Sequence, residues 1–223
     1  MGMHSLIIFD CDGTLVDSER LYNTVTAELL NEIGYDEYTP QLCLERFSGK
    51  SWSTIRDELE EHHGEPMPAD IVQRYIKIAG SRMDTDLKAA RHASAVLKNL
   101  KAQTQICIGS NGERGNVIKS LAVTSLLSYF EEDRIFTKIQ VERPKPAPDI
   151  FLFACDKMQT PPANALVIED SPAGVNAARA AGIDVLGFIG TAHDKAAQGQ
   201  ALKDAGANAI IDELIHIEHH LKR

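Results

Sequence analysis

Two acids two residues apart, Asp10 and Asp12, are the strongest chemical signal in the sequence. They follow the apolar run Leu6-Ile7-Ile8-Phe9 and precede Gly13-Thr14. Carboxylates this close repel each other, and a hard cation such as Mg²⁺ relieves the repulsion. Gly13 permits the sharp turn that follows. An Asp-x-Asp pair alone also fits a surface turn. The strand-like run before it and the Gly-Thr after it favour a site. Cys11, between the two acids, reads as a small core residue turned away from them.

Three more polar clusters follow later in the chain. Gly109-Ser110-Asn111-Gly112 follow Ile106-Cys107-Ile108. Lys145 lies in Arg143-Pro144-Lys145-Pro146-Ala147-Pro148-Asp149, where flanking prolines favour a positioned side chain over a solvated one. Glu169-Asp170-Ser171-Pro172-Ala173-Gly174 follow Ala165–Ile168. Together the clusters supply a hydroxyl, an amide, an ammonium and further carboxylates. That inventory suits a phosphoryl group held by a metal ion, a lysine and a helix N-terminus.

These groups need a scaffold that brings them to one edge. Five short apolar runs, near residues 6–9, 106–108, 165–168, 185–189 and 209–211, do not alternate with polar residues. Continuous runs of this length are expected of strands buried on both faces, as in parallel sheets. Helix-like segments separate them. Ser171-Pro172 is an N-cap and first-turn signal, and Gly182 stands where a C-cap glycine belongs. The alternation implies a doubly wound α/β sheet, whose ligands bind beyond the carboxyl ends of the strands. Residues 18–91 break the pattern. They read as helices over Leu21–Ile33, Gln41–Phe47, Trp52–His62 and Ala69–Met83, a helical insert after the first strand. The expected organisation is a core of residues 1–17 and 92–223 with an inserted all-helical domain of residues 18–91.

Composition narrows the classes. The 223 residues carry 23 basic and 32 acidic side chains, a net charge of −9. Such a chain has no general electrostatic footprint for nucleic acid or an anionic membrane, so neither is expected as a partner. Apolar content of 43% and charged content of 25% are those of a globular protein, not a disordered one. The four cysteines are scattered without a Cys-x-x-Cys pair, which fits a reduced, cytoplasmic setting. The run Leu6–Phe9 is too short for a signal peptide or membrane span. His216 and His220 stand one helical turn apart, and a solvated helix face explains them without a metal. Gly112-Glu113-Arg114-Gly115 makes no dinucleotide fingerprint. Trp52 fits either the core of the helical insert or a lid over the cleft.

The order Asp-x-Asp-Gly-Thr, Ser-Asn, Lys-Pro-x-Pro, Glu-Asp resembles the haloacid dehalogenase superfamily, and the match spans residue 6 to about residue 190. The inserted helices resemble the helical cap of its β-phosphoglucomutase-like and small phosphatase branch. The resemblance implies a Rossmann-like core, bound Mg²⁺ and a small phosphorylated metabolite as substrate. It makes Asp10 the nucleophile, through an aspartyl-phosphate, and Asp12 the general acid and then base. Asp10, the Asp12 carbonyl, Asp170 and Glu169 (directly or through water) would hold the metal. Ser110 and Lys145 would hold the phosphoryl oxygens, with Asn111 an additional donor. Asp12 also separates phosphoryl transfer from dehalogenation, in which no alkoxide leaving group needs a proton.

The sequence departs from the mutases of that branch in two places. Tyr22 stands where they carry a cap-base histidine, and Trp52 where an arginine follows their Gly-x-Ser. Both favour a hydrolase, and a sugar-phosphate-type ester is its expected substrate. Lys50, Arg46 or Arg56 could replace the arginine and receive a distal anion, which keeps a phosphosugar mutase as the alternative. Arg91-His92 stands where the second cap connection has Pro-Gly in the family. A phospho-acceptor signalling domain would share the sheet, acids, hydroxyl and lysine. Its acceptor aspartate belongs on a later strand, and it has no large cap. A monomer or weak homodimer is expected.

Overall fold

A computed structural model describes residues 4–48, 50 and 52–221. The elements run β1 (Leu6–Phe9), α1 (Ser18–Glu32), α2 (Pro40–Phe47), α3 (Trp52–His63), α4 (Ile71–Asp86), α5 (Ala93–Lys101), β2 (Gln105–Ser110), α6 (Arg114–Val123), β3 (Ile135–Thr137), α7 (Asp149–Lys157), β4 (Ala165–Glu169), α8 (Pro172–Ala180), β5 (Asp184–Phe188), α9 (Lys195–Asp204), β6 (Ala209–Ile211) and α10 (Ile217–His220). They form two compact units. One is Met1–Asp17 with Lys88–Arg223, and the other is Ser18–Leu87.

The first unit is the α/β core. Its six strands are all parallel, in the order β3-β2-β1-β4-β5-β6. All four β1 residues are buried, as a central strand covered on both faces requires. Register aligns Phe9 with Ile108 on β2 and with Ile168 on β4. The next residues, Asp10, Gly109-Ser110 and Glu169-Asp170, therefore emerge at one carboxyl edge. Leu6, Ile8, Val167 and Val185 pack on one side against Phe151, Ala154, Ala177 and Ala178 of α7 and α8. Ser171 caps α8 by accepting from Gly174 N at 3.0 Å, with Pro172 in the first turn. Gly182 has φ of +72°, the left-handed conformation that ends a helix.

The chain leaves and re-enters this unit through paired connections. Asp17 N donates to Lys88 O at 2.9 Å, and Ala90 N donates to Leu15 O at 2.8 Å. These bonds put the return at Leu87–Lys88, four residues before the boundary read at Arg91. His92 has φ of +65°, so a side-chain-bearing residue holds the left-handed position here.

The second unit consists of α1–α4. Thr39 caps α2 by accepting from Leu42 N at 3.1 Å. Leu29, Leu30, Tyr38, Phe47 and Leu59 are buried within it. Trp52 is 9% exposed, with its ring 5.0 Å from Tyr75, which itself lies 6.3 Å from Tyr22. Trp52 thus belongs to this unit's own core. No helix among the described residues is long and apolar enough to cross a membrane.

Candidate active site

The turn after β1 is closed by its own backbone. Leu15 N and Val16 N donate to Cys11 O at 2.9 and 3.1 Å, and Gly13 N donates to Val16 O at 2.8 Å. Gly13 has φ of +81°, and a Cβ there would stand 2.1 Å from Asp170 Oδ2. Any side chain at position 13 would displace the Asp170 carboxylate from the turn. Thr14 Oγ1 donates to Asp170 Oδ1 at 3.0 Å, holding that carboxylate from the same turn. Burial first, then the Asp12 and Asp10 charges, push the Cys11 thiol well above its ordinary range, so it is an inert core thiol.

Asp10 is 7% exposed, and its backbone N donates to Ile168 O at 3.0 Å. Lys145, 6% exposed, donates from Nζ to Asp10 Oδ1 at 2.6 Å and to Glu169 Oε1 at 2.5 Å. One buried cation thus bridges two buried carboxylates. Burial raises the Asp10 pKa to about 7, Lys145 opposes the rise, and Glu169 and Asp12 add to it. Burial alone would favour neutral Lys145, but Asp10 and Glu169 hold its pKa above the ordinary lysine value. The ammonium also lies 4.9 Å from the Phe151 ring centroid.

Glu169 is committed at both oxygens. Oε1 accepts from Lys145, and Oε2 accepts from Ser171 N and Oγ, each at 2.9 Å. It therefore buttresses Lys145, and its expected role toward the metal, directly or through water, stays a proposal. Asn111 engages the same lysine. Its Nδ2 donates to Lys145 O at 3.1 Å, and its Oδ1 accepts from Lys145 N at 2.9 Å. The amide brackets the lysine backbone and so aims the lysine, and its expected role as an extra donor to the phosphate or substrate stays a proposal. Ser110 is buried at the end of β2, and its Oγ accepts from Gly112 N at 3.0 Å. A Cβ on Gly112 would lie 3.2 Å from Ser110 Oγ and 3.3 Å from Asp12 Oδ2, so the missing side chain leaves room for both groups.

Lys50 lies in the helical unit, where Nζ pairs with Glu58 Oε1 at 2.5 Å. Arg46 donates to the Tyr38 hydroxyl at 3.2 Å, and Arg56 pairs with Asp57 at 2.9 Å. All three candidate anion receptors are thus engaged within their own unit. Gly49 and Ser51, which flank Lys50 in the Gly-x-Ser element, lie outside the described residues.

A cation expected at this edge would meet an all-oxygen donor set: the Asp10 and Asp170 carboxylates, the Asp12 carbonyl and, directly or through water, Glu169. No group of three or more His, Cys, Asp or Glu residues that could hold a metal ion occurs among the described residues. Mg²⁺ fits what is present, since it binds through one or two carboxylates and keeps several waters. The space that Gly13 leaves for the Asp170 carboxylate is the structural feature that fits this set.

Residues 7–188 match the haloacid dehalogenase-like hydrolase family. The chain is 30% identical over 196 residues to 6-phosphogluconate phosphatase of Escherichia coli, covering 87% of each chain. It is 27% identical to fructose-1-phosphate phosphatase YqaB of the same organism, covering 81% of this chain and 94% of that one. A haloacid dehalogenase-like protein of unknown function from Agrobacterium tumefaciens superposes with a TM-score of 0.87 at 34% identity, covering 97% of this chain and 96% of that one. The chain belongs to the haloacid dehalogenase-like hydrolase family and is an enzyme of its phosphoric monoester hydrolase class.

Proposed function

We propose that this enzyme is a Mg²⁺-dependent phosphatase that hydrolyses a small phosphorylated metabolite of the sugar-phosphate type through an aspartyl-phosphate on Asp10. The observation that carries the reading is the buried Lys145 ammonium shared by Asp10 and Glu169. A lysine so placed fixes the Asp10 carboxylate and keeps a positive charge where phosphoryl oxygens would arrive. Two relatives named for sugar-phosphate substrates support the substrate class. Tyr22, packed toward Tyr75 in place of the mutase histidine, supports hydrolysis over mutase chemistry.

Asp10 Oδ attacks phosphorus, forming the acyl-phosphate bond as the ester oxygen–phosphorus bond breaks. Asp12 gives its proton to the leaving oxygen. It then takes a proton from the attacking water as the Asp10–phosphorus bond breaks, releasing phosphate. Lys145 and the Ser110 hydroxyl, whose own proton is still available to donate, hold the transferring oxygens. The Asp10 and Asp170 carboxylates and the Asp12 carbonyl would hold Mg²⁺. When bound, the ion offsets the negative charge that Asp10 and the phosphoryl group bring together.

Turnover measured over sugar phosphates, nucleotides and phosphoglycolate, with Mg²⁺ and with excess chelator, tests the proposal. Sugar phosphates should lead, chelator should abolish turnover, and Ca²⁺ should inhibit. Ca²⁺ takes more ligands than Mg²⁺ and readily binds a carboxylate through both oxygens, which would misalign Asp10. Full activity in chelator would refute the metal role.

Asp12→Ala should slow alkyl phosphates far more than nitrophenyl phosphate. An alkoxide needs a proton as the bond breaks, whereas a nitrophenolate leaves with little help. The aspartyl-phosphate should also live longer in rapid-quench measurements, because water has lost its base. Equal losses on both ester types with an unchanged intermediate lifetime would remove Asp12 from proton transfer.

A further inference from the structure

Two side chains from the segment after β5 reach the backbone of the two acidic loops. Thr191 Oγ1 donates to the Gly13 carbonyl, and Gln198 Nε2 donates to the Asp170 carbonyl. The segment that carries them is firmly built. Ile189 N donates to Ile211 O at 2.9 Å, extending the β5–β6 pairing by one residue. Gly190 is packed so closely that a Cβ there would lie 2.3 Å from Phe188 Cζ and 2.7 Å from Asp212 O. Asp194 caps α9 by accepting from Ala197 N at 2.9 Å, and Gly199 and Leu202 are buried along that helix. Thr191 therefore comes from a rigid turn, and Gln198 from a helix of ten residues capped at its start.

Asp170 is consequently held at both ends. Thr14 holds its carboxylate in the space that Gly13 leaves free, and Gln198 holds its carbonyl. Gly13 is tied in turn to Thr191. The two loops that supply the cation donors are thus pinned to a common outer brace as well as to each other. We infer that Thr191 and Gln198 are positioning residues that set the separation of the Asp12–Gly13 turn from Asp170, and with it the affinity for the divalent cation. The inference rests on the Mg²⁺ reading proposed above. Removing one hydrogen-bonded support of a metal ligand typically weakens metal binding about tenfold to a hundredfold, because the ligand must then be ordered by the ion itself.

The test is direct binding of Mn²⁺, a spectroscopic stand-in for Mg²⁺, with free ion counted by electron paramagnetic resonance. Thr191→Val and Gln198→Met should each raise the Mn²⁺ dissociation constant about tenfold to a hundredfold. Thr191→Ser, which keeps the hydroxyl, should stay near wild type. Melting temperature in chelator should move little in any of them. kcat on an aryl phosphate should return toward wild type as Mg²⁺ is raised. The proposal is overturned if Gln198→Met and Thr191→Val bind Mn²⁺ as wild type does. It is equally overturned if Thr191→Ser loses as much affinity as Thr191→Val. Should Thr191→Val not fold, Gln198→Met on a separate element decides. Asp170→Asn separates the two failures. If it too binds Mn²⁺ as wild type does, the metal reading falls along with the brace. If it alone weakens binding, only the brace falls.

Discussion

Asp10→Asn should reduce turnover by about a thousandfold or more while the protein still folds and melts cooperatively. An amide of the same volume has no anionic oxygen with which to attack phosphorus, and nothing else at the strand edge replaces it. The stability side follows from the electrostatics. Burial holds the Asp10 carboxyl up to about 7, so the charged form is disfavoured where it stands. A neutral isostere removes that penalty, loses an attraction to Lys145, and leaves Lys145 its bond to Glu169. The metal-free melting temperature should therefore match or exceed wild type. Steady-state turnover, mass spectrometry to exclude deamidation back to aspartate, and a thermal melt in chelator check both halves. More than a few per cent residual turnover in an undeamidated sample would refute Asp10 as nucleophile.

The sheet was legible because its central strands are short uninterrupted apolar runs. Leu6–Phe9 and Ala165–Ile168 announce burial on both faces and stand beside each other in register. β3 was missed because Ile135-Phe136-Thr137 is three residues long and sits between 3₁₀ turns, too short for any period to show. The acids were legible for a related reason, since residues just past a buried strand must face the carboxyl edge. What the sequence left hidden was direction. Glu169 and Asp170 are adjacent, yet one side chain turns to Lys145 and the other to Thr14, and only the fold assigns which. Asn111 lies beside Ser110 in the chain, but its amide closes on a lysine backbone 34 positions away. Thr191 and Gln198 carry no sequence signal, because they act through backbone carbonyls that any residue could offer. Lys50 read as a receptor for a distal anion, and its Glu58 partner, two helical turns into α3, carried no sequence signal.

Lys145→Met should cost both stability and catalysis, and the stability loss should depend steeply on pH. Lys145 is the one cation bonded to the buried pair Asp10 and Glu169 among the described residues. Methionine fills much of its volume but leaves two buried carboxylates facing each other. Removing one partner of a buried ion pair typically costs about 3–5 kcal/mol. The sign of the pH effect follows from Asp10. Its folded pKa of about 7 already exceeds the unfolded value of 3.8, and Lys145 is what opposes the rise. Without the lysine the folded pKa moves higher still. Between the unfolded and folded values the folded state binds the extra proton, so stability falls as pH rises through that window. The deficit against wild type in chelator should thus be largest near pH 8 and shrink toward pH 5, where a proton takes over part of the lysine's work. Turnover at saturating Mg²⁺ should drop about a hundredfold to a thousandfold, the usual loss for one preorganised donor to a transferring group. Denaturant melts at several pH values, with kcat measured in parallel, read both effects. A stability deficit that does not change with pH would mean that Lys145 fills space at the strand edge and does not balance the charge of Asp10 and Glu169.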